Sequence, residues 1–342
     1  MSKPLLSVIM PVYNGEKYLR NTLSSLLSQD YTDIEVICIN DCSTDGSLSI
    51  LREFEEKDSR IKCVSLKENI GAGRARNIGI ERSVGAYIAF LDADDEIIPD
   101  ILSSAVSLME QTDAQQVIWG ASEEHFDKNN HHIRSLSIIP KACISQGESE
   151  VARTALDLEE QTLFGYLWNS LYKADIIRSN GILMNDYLFY EDYFFNLDVI
   201  KKTSKIAVMD KIGYRYFKRV NSSITHSFSN NYFKLSYERV KSFYDYCVST
   251  DTLDQRAVNI LAKKLLRYTL SALSRNNNPL AQLNAKQRKK WVKDNLYSKE
   301  LYSLLLKNKV NVNPVFKILK FAINKKLTCL CLFMGKAVYH LI

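Results

Sequence analysis

The stretch Phe90 to Asp100, FLDADDEIIPD, closes an apolar run with three aspartates and a glutamate. The nearest upstream cation is Arg82, so no neighbour offsets the charge. On an extended backbone the two-residue period turns Asp92 and Asp94 to the same side. Two carboxylates ~4 Å apart repel by about 4 kcal/mol at an effective dielectric of 20. A divalent cation converts that repulsion into attraction, and hard ions such as Mg²⁺ prefer oxygen ligands. A solvated acidic turn is the plain alternative for an Asp-x-Asp pair taken alone, so the surrounding elements have to decide.

Those elements alternate. Apolar runs predict strands at Leu6–Met10, Ile34–Ile39, Ile61–Leu66 and Tyr87–Leu91, and 3.6-residue periodicity predicts helices near Lys17–Leu27, Thr44–Lys57 and Gly73–Arg82. Ser43 or Thr44 is the expected N-cap of the second helix. This rhythm implies an α/β fold with a doubly wound, mostly parallel sheet and flanking helices. Ligands of such sheets bind beyond the carboxyl ends of the strands. The polar clusters Pro11–Asn14, Asn40–Asp45, Asn69–Asn77 and Asp92–Asp95 all fall there. Further on, a strand is expected near Gln116–Gly120 and a helix at Ser149–Glu160. Another helix should start near Glu191, followed by two short strands at Ile206–Met209 and Gly213–Phe217. From Tyr232 the pattern is helical.

The loop GAGRARNIG (Gly71–Gly79) is not a dinucleotide fingerprint, because Arg76 stands where the third glycine of GxGxxG belongs. No Walker lysine motif occurs. The loop instead supplies two cations, Arg74 and Arg76, at the start of a helix that faces the same edge as the aspartates; a solvated arginine is the competing reading for each.

Five segments in register, SVIMPVYNGEKYL, INDCSTDGS, NIGAGRARNIGI, AYIAFLDADDEIIPD and YEDYFFN, resemble family 2 glycosyltransferases with the GT-A fold, of bacterial surface-polysaccharide type. The resemblance covers roughly residues 5–225. It implies an inverting hexosyl- or N-acetylhexosaminyltransferase that uses a UDP-sugar donor. Pro11 and Tyr13 would line the uracil pocket, Asp41 would accept from the base, and Arg76 would hold the nucleotide from the other side. Asp92 and Asp94 would meet Mn²⁺ or Mg²⁺, with Asp92 also near the ribose. Asp192 matches the general base, beside Glu191. These residue types suit the chemistry: a divalent ion stabilises a leaving diphosphate, and one carboxylate near a hydroxyl suffices to deprotonate it. Direct displacement needs no second, nucleophilic carboxylate. The bland role for Glu191–Asp192 is to complement a helix N-terminus, which is compatible with catalysis.

Trp168 and Asn169 lie where the family contacts donor or acceptor sugar, and core packing is an equal reading for the Trp. Arg219 and His226 would approach the diphosphate from a polar loop. Asn40 and Cys42 replace the Asp and Gly of the family's DDGS, leaving Asp41 in place. QRKKW (Gln287–Trp291) has Lys290 in the arginine slot of the processive QxxRW signature, so single-sugar addition is expected. Two rivals remain open. One is a sugar nucleotidyltransferase, whose glycine-rich first loop PVYNG does not match. The other is a catalytically idle scaffold.

Composition adds one strong signal. Residues 1–200 hold 17 Lys+Arg against 32 Asp+Glu, a balance of −15, whereas residues 201–342 hold 28 against 7, a balance of +21. The overall charge of +6 hides this asymmetry, which suggests an anionic partner for the second half. In VFKILKFAINKK, helical geometry groups Val315, Phe316, Ile318, Leu319, Ala322 and Ile323 apart from Lys317, Lys320 and Asn324, as an interfacial helix requires. A helix packed on the catalytic domain is the alternative. The expectation is a catalytic domain at 1–228 and a helical, basic, amphipathic region at 229–342. The protein should act on a glycan or glycolipid acceptor as a cytoplasmic protein, peripheral at the inner face of the plasma membrane. No nucleic-acid motif is present. The N-terminal apolar run, stopped by Pro11, is too short for a signal peptide. The seven scattered cysteines form no disulfide or zinc pattern.

Overall fold

The computed structural model describes residues 6–187, 189–219, 229–307 and 310–340. The chain divides into two compact units, Met1–Ser223 and Ile224–Ile342. In the first, β1 (Leu6–Val12), α1 (Glu16–Leu27), β2 (Ile34–Asn40), α2 (Ser47–Lys57), β3 (Ile61–Ser65), α3 (Ala72–Arg82) and β4 (Tyr87–Phe90) follow the alternation read from the sequence. After them come β5 (Glu96–Ile97), α4 (Ile101–Thr112), β6 (Gln116–Phe126), β7 (His132–Ile138), β8 (Cys143–Gln146), α5 (Glu148–Glu160), β9 (Ser170–Lys173), α6 (Ala174–Ser179), α7 (Glu191–Ile200) and β10 (Lys205–Lys218).

One sheet runs in the order β3-β2-β1-β4-β9-β6-β10-β5, with β7 on β6 and β8 on β10. Its first four strands are parallel, whereas β9 joins β4 and β6 antiparallel. β1, β2 and β4 are buried along almost their whole length, as helices on both faces require, while the edge strand β3 is buried only at Ile61. Gly79 lets α3 lie close on β1, since a Cβ there would come within 2.3 Å of Ile9 Cγ2. The two short strands expected at 206–217 are one strand, β10, with register shifts between Val208 and Tyr214 where the interruption was read. Neither Ser43 nor Thr44 caps α2. That helix starts at Ser47, whose amide and hydroxyl donate to Asp45 Oδ1 at 3.0 and 2.6 Å.

The second unit is helical: α8 (Tyr232–Ser249), α9 (Gln255–Arg275), α10 (Ala285–Val292), a π-helical turn at Lys293–Tyr297, α11 (Glu300–Leu306), α12 (Pro314–Asn324) and α13 (Thr328–Tyr339). α9 is its centre, with α8, α11, α12 and α13 against it. Asp254, Asn284 and Asn313 each cap a following helix, the second through a full capping box with Gln287. Among the described residues no helix is long and apolar enough to cross a membrane.

Candidate active site

The carboxyl ends of the parallel strands are stitched into one surface by short polar bonds. Asn14, in the left-handed region after β1, accepts from Thr44 N at 2.8 Å. Glu16 Oε2 accepts from Gly46 N, and Asp45 Oδ2 accepts from Glu16 N, so the loops after β1 and β2 hold each other. Pro11 is part of β1, opposite Ile39 of β2, and Tyr13 just beyond it is 53% exposed, with its ring available to a flat ligand.

Asp41, one residue past β2, is buried. Its carboxylate accepts from Ile70 N at 2.7 Å and Gly71 N at 2.8 Å, so it fixes the loop that leads into α3. Gly71 sits at φ 88°, a conformation that side chains resist.

Arg76 lies one turn into α3 and is buried at the centre of the site. It donates through Nη2 to Asp92 Oδ1 at 2.6 Å and through Nη1 to Asp192 Oδ1 at 3.1 Å, with Glu191 Oε1 at 3.8 Å. Its guanidinium thus joins acids from two distant segments. Burial raises the carboxyls of Asp192 and Glu191 above the usual carboxylate range, because Arg76 offsets only part of the desolvation and the acids repel one another and Asp92. Asp192 opens α7 and stays partly open to solvent, which is the combination a general base needs.

Asp94 is the more exposed acid of its pair. Partial burial and the charge of Asp92 push its carboxyl up to about 6. Arg219, at the end of β10, lies 3.6 Å from Asp94 Oδ2 and donates to Asp94 O at 3.1 Å. Its guanidinium rests 3.8 Å from the centroid of Tyr18. Asp95, the third aspartate, is fully buried. It accepts from Phe217 N at 2.8 Å and from the Tyr214 hydroxyl at 3.1 Å, and that hydroxyl accepts from Asp92 N. Asp95 therefore positions the turn that displays Asp92 and Asp94. The donor set suits a hard divalent ion. Among the described residues no three His, Cys, Asp or Glu side chains converge on one point. Two carboxylates completed by phosphate oxygens and water are a usual arrangement for Mg²⁺, however.

Trp168 and Asn169 belong to the core, contrary to a sugar-platform role. The Trp168 ring is sandwiched between Tyr214 (4.3 Å, 7° between planes) and Tyr166 (4.4 Å, 21°), leaving neither face for a sugar. Asn169 is fully buried and donates its amide to Leu163 O and Trp119 O. His226 lies outside the described residues. Sequence reading missed the bonds that hold the segment before α7 against α3. Asn77 both donates to Met184 O and accepts from Met184 N at 2.8 Å, while Arg74 makes a two-pronged bond to Asp186. Both pins hold the segment just before Glu191. Asn77 and Arg74 stand in the quoted GRARN motif, but their partners are more than a hundred residues away.

The family model of glycosyl transferase family 2 matches residues 7–179, just over half of the chain. The chain belongs to glycosyl transferase family 2. Among its family relatives, the uncharacterized glycosyltransferase EpsJ of Bacillus subtilis (strain 168) is 29% identical over 223 residues, which are 64% of this chain and 62% of that protein. The poly(ribitol-phosphate) beta-N-acetylglucosaminyltransferase TarS of Staphylococcus aureus (strain Mu50 / ATCC 700699) is 26% identical over 296 residues, 84% of this chain and 48% of that protein. The chain thus spans less than two thirds of the length of these relatives. The crystal structure of S. aureus TarS 1-349 in complex with UDP-GlcNAc shares the fold. Its TM-score is 0.68 at 20% identity, covering 98% of this chain and 91% of that one.

Proposed function

We propose that this family 2 glycosyltransferase moves a single sugar from a UDP-sugar to a hydroxyl of a lipid-linked or lipopolysaccharide-type glycan, with inversion, at the cytoplasmic face of the membrane. The observation that carries the reading is the convergence of Asp92 and Asp192 on the buried Arg76, at the strand edge where Asp41 and Tyr13 also stand. The TarS structures with UDP-GlcNAc and with UDP support the choice of donor. A distant mannosyltransferase structure holding GDP-Man and Mn²⁺ supports the choice of ion.

In this reading Tyr13 stacks on the base and Asp41 accepts its N–H. Asp92 and Asp94 would hold Mn²⁺ or Mg²⁺, which when bound offsets the charge developing on the leaving diphosphate. Asp192 takes the proton of the attacking hydroxyl as that oxygen approaches the anomeric carbon from the side opposite UDP. Arg76 keeps Asp92 and Asp192 in fixed relation, so donor and acceptor meet in one geometry. The first unit supplies the catalyst, and the second meets the acceptor's membrane. Turnover of a panel of UDP-sugars, with and without Mn²⁺, tests this. Metal-dependent UDP release with one donor is expected; none with any donor would favour a scaffold, and release of pyrophosphate from a nucleoside triphosphate would favour a nucleotidyltransferase.

A further inference from the structure

We propose that one shoulder of α12 is the surface by which this protein docks on anionic phospholipid. The idea rests on the membrane-acceptor reading above and takes it to named side chains. The apolar residues of α12 divide in two. Leu319, Ala322 and Ile323 are buried within the helical unit, where α12 lies against α9 and α13. Val315, Ile318 and Phe321 stay 46, 49 and 53% exposed. At 3.6 residues per turn these three run along one flank of the helix, with Lys317 next to them. Leu327 and Phe333 are exposed as well, the latter at 69%. Exposed apolar side chains gathered in one short segment mark an interaction surface.

Charge selects the occupant. Residues 301–342 contain seven lysines and neither Asp nor Glu. A second copy would bring the same positive charge and repel. An anionic bilayer attracts the lysines while its acyl boundary takes up Ile318 and Phe321. Each lysine near such a surface strengthens binding about fivefold.

Cosedimentation of the full chain with phosphatidylcholine vesicles, and with phosphatidylcholine vesicles containing phosphatidylglycerol, tests the proposal. Binding to the anionic vesicles should be at least about tenfold tighter and should weaken with salt. Ile318→Ser with Phe321→Ser should reduce it about tenfold or more. Lys317→Gln with Lys325→Gln and Lys326→Gln should abolish the preference for phosphatidylglycerol. Phe321→Trp gives a reading independent of the serine variants: its emission should move to the blue on anionic vesicles and be quenched by a lipid-borne quencher. Equal binding to both vesicle types, wild-type binding by the serine and glutamine variants, or a Phe321→Trp emission that vesicles leave unchanged would overturn the proposal. So would a dimer that Phe321→Ser dissolves, which would assign the shoulder to a second copy. UDP-sugar turnover without vesicle binding would sink the docking and leave the transferase reading standing; binding without turnover would do the reverse.

Discussion

The two ends of the parallel sheet treat buried acid in opposite ways. At the amino end Glu35 of β2 is surrounded by donors: Ser7 Oγ and Val84 N on Oε1, and Lys62 Nζ on Oε2 at 2.7 Å. Burial alone would raise its carboxyl, yet these partners hold it below the usual range. At the carboxyl end Asp94, Asp95, Glu191 and Asp192 are all pushed up. The same residue type on one sheet is satisfied at one edge and frustrated at the other. Under-compensated acids gathered at one edge are functional-site candidates, in keeping with the cation and proton roles proposed for them. Satisfied ones mark structure.

That contrast can be broken most directly at Asp192. Asp192→Asn should lower transfer about 10²- to 10⁴-fold, the range for loss of a positioned base. UDP affinity by calorimetry and thermal stability should hold. Retained turnover would place the base elsewhere and make the raised carboxyls incidental. Arg76→Met probes the same cluster from its cation. Removing one partner of a buried ion pair typically costs 3–5 kcal/mol, and about 3 is expected here because Asp92 and Asp192 keep some contact with water. A variant of unchanged melting temperature but weakened UDP binding would return Arg76 to the nucleotide. Trp168→Ala should destabilise by about 3 kcal/mol or more through the cavity left between Tyr166 and Tyr214. Unchanged stability with a raised acceptor KM would restore the sugar platform.

The sequence made the satisfied parts easier to read than the frustrated ones. β1 to β4 and the loops at their ends follow from periodicity and polar punctuation; Asp92 and Asp94 stand out as acids without local partners, and Asp192 came only with the family resemblance. What they touch was not legible. Arg76 reaches Asp92 across 16 residues and Asp192 across 116, separations that no periodicity encodes. Trp168 resembles a platform until Tyr214 and Tyr166 are seen on its two faces. β9 was missed because NSLYKADII is short and runs straight into α6, and antiparallel β7 and β8 carry little of the alternation that announces a strand.

The smallest effect distinguishes the two edges by sign. Glu35 has a folded-state carboxyl below its ordinary 4.5, so its stabilisation is complete above that pH and fades as acid protonates it. Glu35→Gln should therefore cost about 1–3 kcal/mol at neutral pH, from donors left poorly paired. The gap to wild type should close in acid. Asp94 runs the other way, its carboxyl moving from 3.8 to about 6 on folding. The folded chain then loses stability as pH rises through that interval. In chelated buffer Asp94→Asn should melt above wild type at pH 7, with the advantage shrinking toward pH 4. Denaturant melts of both variants across this range check the pair. If both differences had the same sign, the acids at the carboxyl edge would be as well satisfied as Glu35, and the case for a cation-seeking site would lose its electrostatic basis.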